Sequence, residues 1–297
     1  MNVGIIGNGA WGRALAMLVA EAGNLPRIGY RGRPPGGFPG TPNLGALARE
    51  VELLILAVPP ANVREVVRQA KPGPAHKVVV AARGIEPDGG AFLTEVITQE
   101  SAALRVGVLA GPTLASEVTA RRPGALVAAS TYDEVSALCQ AALHSPICRV
   151  YTSRDLRGVE VASAMVNVLA VAVGIADALS LGVGGQAVML TRGLAEASRL
   201  GAALGADPRT FLGLAGVGDL VACAHHPDHP GRQAGLRMAR QGATDEGVHR
   251  DCLALNQLAA RKGVDLPITE ALQHIASGKL KAHLALDNLM RREARPE

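Results

Sequence analysis

Asn2-Val3-Gly4-Ile5-Ile6-Gly7-Asn8-Gly9-Ala10-Trp11-Gly12 decides the fold. An apolar run of strand length passes without a break into glycines at 7, 9 and 12, and a helical pattern over Trp11–Glu21 follows. The Gly-x-Gly-x-x-Gly spacing is a weak signal alone; between a strand and a helix it is specific for a dinucleotide site. Gly7 permits the tight turn and Gly9 lets the backbone approach a pyrophosphate. The helix N-terminus then offers amide donors and the positive end of its dipole. Asn8, Ala10 and Trp11 complete the loop, and Trp11 is the single tryptophan.

Outward from this stretch, short apolar runs alternate with helical patterns, which is the signature of a doubly wound, mostly parallel α/β sheet. Strands are expected near Val3–Ile6, Arg27–Tyr30, Leu53–Ala57, Val78–Ala82, Val106–Ala110, Leu126–Ala129 and Arg149–Thr152. Helices are expected over Trp11–Glu21, Asn62–Ala70, Phe92–Glu100 and Asp133–His144, with Gly23 placed to stop the first in a left-handed conformation. The stretch 31–40, rich in Pro and Gly, cannot be helical, so the second crossover is partly loop. From about Arg154 helical patterns take over: Gly158–Leu179, Val188–Leu204, Pro208–Leu214, Gly231–Arg240, Asp251–Lys262 and Ile268–Ala276. Asp207-Pro208 reads as a cap and first turn. The expectation is a Rossmann domain over 1–153 and an all-α domain over 154–297.

Composition narrows the function classes. Of the 297 residues 48% are hydrophobic but only 2% aromatic, so the core rests on Ala, Val, Leu and Ile. A net charge of +4 with no basic tail favours a phosphate-bearing small molecule over nucleic acid, with an evenly solvated surface as the alternative. Five of the 30 basic residues are lysine, and none lies between Lys77 and Lys262, so the central stretch has no titratable ammonium. Cys139, Cys148, Cys223 and Cys252 are scattered, which reads as buried reduced thiols in a cytoplasmic protein. The N-terminus runs straight into a strand and leaves no room for a signal peptide. The apolar stretch Val161–Ala176 is too short for a membrane span and carries Ser163 and Asn167, so no membrane partner is expected.

The expected second strand ends at Tyr30-Arg31-Gly32-Arg33, where NAD-specific folds place a carboxylate for the ribose. With no acid there, Arg31 and Arg33 are candidates to clamp a 2′-phosphate, which points to NADP over NAD; solvated loop arginines are the alternative. Val58 and Pro59 close the third expected strand and are candidates to line the nicotinamide–ribose cleft.

Together these pieces resemble the bacterial-type NAD(P)-dependent glycerol-3-phosphate dehydrogenases, nearly end to end, with a shortened region near 31–45. The matching stretches include GNGAWGRALA from Gly7, LAVPP from Leu56, ARGIE from Ala82 and AGPTLASEV from Ala110. The long helical matches run from Gly158 to Leu179 and from Thr191 to Val221, followed by GVDLPITEAL from Gly263. The resemblance implies hydride transfer between NAD(P)H and the C2 carbonyl of dihydroxyacetone phosphate, a place in phospholipid biosynthesis, and a homodimer formed through the helical domain. It also implies a lysine–asparagine pair on the long core helix; Asn167 matches the asparagine, but the lysine position is Val166. Other departures fall nearby. Family lysines become Arg83 and Ser116, a threonine becomes Cys223, and a Ser-Arg-Asn triplet that binds phosphate becomes His229-Pro230-Gly231. Asp219 matches a substrate-domain aspartate, Glu246 a Glu-Gly pair beside the cofactor, and Arg232 remains near the phosphate position.

Three readings stay open from the sequence. In the first the proton role has moved to the segment His225-His226-Pro227-Asp228-His229, with His225 as candidate and Arg83 and Arg232 holding the phosphate. Four potential metal ligands crowd that one loop, and no metal is expected. In the second the substrate is another small molecule, since Val166, Cys223 and Pro230 make the pocket apolar. In the third the chain binds NADP without turnover.

Overall fold

The computed structural model describes residues 1–291. Its first half holds β1 (Asn2–Ile6), α1 (Ala10–Glu21), β2 (Leu25–Gly29), β3 (Gly40–Thr41), α2 (Leu44–Arg49), β4 (Leu53–Leu56), α3 (Pro60–Ala70) and β5 (Lys77–Val80). These are followed by α4 (Leu93–Glu100), β6 (Arg105–Ala110), α5 (Ala115–Thr119), β7 (Gly124–Ala129), α6 (Asp133–Leu143) and β8 (Cys148–Ser153). The second half holds α7 (Leu156–Ala178), α8 (Gly182–Ala203), α9 (Arg209–Leu212), a π-helical turn (Leu214–Gly218) and α10 (Asp219–His225). It ends with α11 (Pro230–Gln241), α12 (Glu246–Arg261), α13 (Pro267–Ala276) and α14 (Ala282–Met290).

The eight strands form one sheet in the order β3-β2-β1-β4-β5-β6-β7-β8. Every neighbouring pair is parallel except β6 and β7. Strands β1 and β4 are buried on both faces, which is why they read as continuous apolar runs. All seven expected strands are present, within two residues of the expected ends. The eighth, β3, has two residues and was not expected: it follows the Pro/Gly stretch and pairs through Ile28–Gly40 and Gly29–Thr41. Too short to show a period, it leaves no mark in the sequence, and the same holds for the short helices α2 and α5.

Helix α7 carries the second half. Its buried residues run almost without interruption from Gly158 to Ala176. Burial of a Val or Leu side chain contributes about 1.5–3 kcal/mol, and a helix buried all round needs neighbours on every side. Helix α11 supplies one at backbone distance: a Cβ on Gly174 would lie 1.9 Å from the Arg232 carbonyl oxygen, and one on Gly235 2.0 Å from that of Val171. The same cluster of buried residues takes in Ile85, Phe92, Val108 and Val127, so α7 docks on the sheet as well as on the helices. Its mean hydropathy of 2.0 over 18 residues would suit a membrane span, but 94% of that window is buried inside the protein.

The helical pattern over 208–214 resolves into α9 and the π turn. Gly216 permits the change: a Cβ there would sit 2.1 Å from the Phe211 carbonyl oxygen, so the wide i→i+5 turn forms where only glycine fits. Asp207 does act at the start of α9, its carboxylate accepting from the Arg209 amide at 2.9 Å.

Candidate active site at the carboxyl edge of the sheet

The chain reverses its direction of travel across the sheet between β1 and β4, and a doubly wound sheet binds ligands outside the carboxyl ends of the strands at such a point. The loop from Gly7 to Gly12 opens there. Gly7 has φ +128°, and a Cβ on it would lie 2.2 Å from the Ala57 carbonyl oxygen; one on Gly12 would lie 1.9 Å from the Gly7 oxygen. In front of Gly9, which caps α1, no atom comes within 4 Å, and the first turn of α1 carries no acid. The loop is therefore closed on its protein side and open on the side that faces outward. That is the shape a pyrophosphate needs.

Its neighbours suit the same ligand. Asn8 Nδ2 donates to the Arg33 carbonyl at 3.0 Å, which holds the loop with the exposed Arg31 and Arg33 beside the phosphate loop. Asn8 Oδ1 is buried without a hydrogen-bond partner. Ala10 is exposed at the first turn of α1, and Trp11, half-buried, donates from Nε1 to the Ala81 carbonyl at 2.9 Å. Val58 packs 3.3 Å from where a Gly7 Cβ would stand, and the exposed Pro59 caps α3. These residues fit a bound pyridine dinucleotide.

One strand further along, Arg83 reaches out of the loop after β5. Its Nε donates to Asp219 Oδ2 at 3.1 Å and one Nη to Oδ1 at 2.5 Å, so a residue of the sheet half grips the first residue of α10. Asp219 is fully buried. Burial pushes its carboxyl above the ordinary range, while the Arg83 guanidinium and then the Cys223 thiol, 3.7 Å away, pull it back. Burial likewise pushes the Cys223 thiol up to about 12, which leaves it protonated and inert.

Val166 lies on α7 with 1% of its surface exposed. The next residue, Asn167, is half-buried and donates from Nδ2 to Asp251 Oδ2 at 3.1 Å. Burial raises the Asp251 carboxyl to about 6. Asp251 was not singled out in the sequence, because a lone acid inside a helical pattern carries no signal until the fold brings its partner across.

The histidine segment divides. His225 is exposed in the last turn of α10, its Nδ1 3.0 Å from the Val221 carbonyl. His226 and His229 are joined by a turn, the His229 amide donating to the His226 carbonyl at 3.2 Å; His229 is buried and His226 half-buried. His226 Nε2 is 3.0 Å from Ser116 Oγ, and Nδ1 of each ring is buried without a partner. Burial pushes the His229 imidazole down to about 4, with repulsion from Arg83 and His226 adding to it. His229 is thus the buried histidine whose protonation the charge of Arg83 opposes, while the expected His225 is exposed.

Two expected positions lie elsewhere. Arg232 donates from Nε to Asp177 Oδ2 at 2.6 Å, more than two helical turns along α7 from Val166, so its place does not meet the expectation of a phosphate partner. Gly174, which lets α11 press on α7, is the reason: the backbone of Arg232 lies against it and the side chain extends to Asp177. Glu246 is exposed at the first residue of α12, 3.6 Å from Arg250. Among the described residues no group of three or more His, Cys, Asp or Glu could hold a metal ion.

Comparison with known proteins gives one consistent result. Residues 35–136 match the family model for the N-terminus of NAD-dependent glycerol-3-phosphate dehydrogenase, and residues 155–287 the one for its C-terminus. The chain is 36% identical to a glycerol-3-phosphate dehydrogenase [NAD(P)+] of Acidovorax sp. (strain JS42), over 99% of this chain and 98% of that protein. It is 38% identical to the protein of that name from Methylibium petroleiphilum, over 100% and 98%. Among solved structures, the glycerol-3-phosphate dehydrogenase of Coxiella burnetii superposes with a TM-score of 0.88 at 29% identity, covering 98% of this chain and 99% of that one.

Proposed function

The chain belongs to the NAD-dependent glycerol-3-phosphate dehydrogenase family, and from that premise we propose that it moves a hydride between NAD(P)H and the C2 carbonyl of dihydroxyacetone phosphate. In this reading residues 1–153 hold the nucleotide and 154–297 shape the substrate pocket. The observation that carries it is the Arg83–Asp219 pair. A residue from the sheet half and one from the helical half meet in a buried, bidentate contact beside the carboxyl edge where the phosphate loop opens. When bound, the nicotinamide supplies or takes the hydride.

The protein's own groups then have distinct tasks. Asp219 uses the Nε–Nη edge of Arg83 and so orients it; the remaining Nη donors are free for a phosphate of the substrate. Arg31 and Arg33 hold the 2′-phosphate of NADP, and Gly7, Asn8, Gly9, Ala10, Trp11 and Gly12 the pyrophosphate. Val58 and Pro59 line the nicotinamide side. Asn167, held by Asp251, offers its amide to the reacting end of the substrate. We place the protein in the cytoplasm, acting in phospholipid biosynthesis as a homodimer.

The test is NADPH oxidation with dihydroxyacetone phosphate at high protein concentration, once NADPH binding has been established by quenching of Trp11 fluorescence. Turnover supports the reading. Tight NADPH binding without turnover favours a second one, to which the buried apolar Val166 belongs: a small carbonyl substrate other than a triose phosphate, or nucleotide binding alone.

A further inference from the structure

Val166 has no ionisable atom, but a different group lies near the turn of α7 that follows it. A Cβ placed on Gly231 would lie 3.1 Å from Ala170 Cβ, 3.4 Å from the Asn167 carbonyl oxygen and 3.4 Å from His229 Cε1. Residues 166 and 170 are one helical turn apart and share a face of α7. The space beside Gly231 is thus shared by the His229 ring and the Asn167–Ala170 stretch of α7, the turn that follows Val166, and the charge of Arg83 opposes protonation of that ring. His229 is 5% exposed, and its Nδ1 is buried without a hydrogen-bond partner. A buried imidazole nitrogen with nothing to bond costs about 1–3 kcal/mol unless a ligand meets it. Two features hold the ring in place: the turn back to the His226 carbonyl, and Pro230, which starts α11 immediately after it.

We propose that His229 is the catalytic base and acid at the C2 oxygen, taking over at Val166 the proton transfer that a side chain of α7 does not provide. The proposal rests on the glycerol-phosphate reading above. In the oxidising direction the hydroxyl proton on C2 of glycerol 3-phosphate passes to a His229 ring nitrogen. The C2–H hydrogen leaves with its electron pair to the oxidised nicotinamide, and C2=O remains. In the reducing direction the imidazolium returns the proton as the hydride arrives at C2. Because burial keeps the free imidazole neutral at pH 7, its lone pair is available to accept that proton.

The experiment compares wild type with His229→Gln and His229→Ala in glycerol 3-phosphate oxidation by NADP⁺, with NADPH affinity measured by Trp11 quenching as the check on the fold. The expected result is a fall in kcat of about 10²- to 10⁴-fold with KM little changed. Added imidazole should restore part of the activity of His229→Ala, which a packing role would not allow. Retained kcat in His229→Gln, or a loss in His229→Ala that imidazole does not mend, overturns the role of His229 while the reaction itself stands. Absence of turnover in wild type overturns the glycerol-phosphate reading and this role with it. A second measurement needs no variant: with ¹⁵N-labelled histidine, glycerol 3-phosphate added to wild-type protein should move the resonance of one buried ring. No histidine resonance moving overturns the proposal.

Discussion

The two ends of the crevice differ in what their polar groups face. At the phosphate loop the donors are open to the outside: Gly9 has open space before it, and Arg31 and Arg33 are exposed. At the other end the polar groups are turned to one another, with Arg83 on Asp219 and, next to Val166 on α7, Asn167 on Asp251. Backbone shape makes the first end, and it survives side-chain change as long as three glycines persist. The second end is made of side chains, whose polar groups are paired inside the protein.

The most drastic way to break the contrast is at the loop. Gly12→Ala sets a Cβ against the Gly7 carbonyl, 1.9 Å away on the wall of the turn, where backbone has to move. We expect a stability loss of about 3 kcal/mol or more and NADPH affinity down at least about 100-fold, read by thermal melting and Trp11 quenching. Unchanged NADPH binding would remove the loop from the cofactor site.

Asp219→Asn tests the other end. It leaves the Arg83 guanidinium without its buried counter-charge, at a cost of about 3–5 kcal/mol. Inorganic phosphate should then raise the melting temperature of the variant more than that of wild type, because an anion replaces the lost carboxylate. No rise in either would show that Arg83 does not face the anion site.

What the sequence made legible follows the same division. The glycine loop, the seven longer strands and the long core helix announce themselves through spacing and period, which are local properties. Val166 and Asp219 were picked out by matching motif to motif. Asp251, the choice of His229 over His225, and the turning of Arg232 to Asp177 depend on which helix face meets which neighbour. Helix α11 packs on α7 through Gly174 and Gly235, and nothing in the local pattern of either helix says so.

A smaller effect separates the fold of the helical half from its chemistry. Glu196 is buried and accepts from the Ile268 and Thr269 amides at the start of α13, at 2.7 and 3.3 Å. Burial raises its carboxyl to about 7, against about 4.3 in an unfolded chain. A raised carboxyl favours the folded state fully below the unfolded value, and that stability is lost as pH rises toward 7, amounting to about 3 kcal/mol for this group. Glu196→Gln should flatten the decline in melting temperature between pH 4.5 and 7 while leaving NADPH affinity unaltered. An unchanged decline would assign it to the other carboxyls raised by burial, Glu160, Asp219 and Asp251.

The smallest expected effect sharpens the contrast most, because it separates the two cofactors at the open end. Arg31 and Arg33 are exposed, and each exposed pair with a phosphate contributes about 1 kcal/mol at most. The double change Arg31→Ala, Arg33→Ala should weaken NADPH binding about 10-fold, leave NADH binding unchanged, and reduce the loss of NADPH affinity on adding salt. Equal weakening of both nucleotides would place the arginines on the shared pyrophosphate instead. No change in either would make them loop charges held beside the site only by the Asn8 contact to the Arg33 backbone, a contact the double change leaves intact because it uses the carbonyl and not the guanidinium.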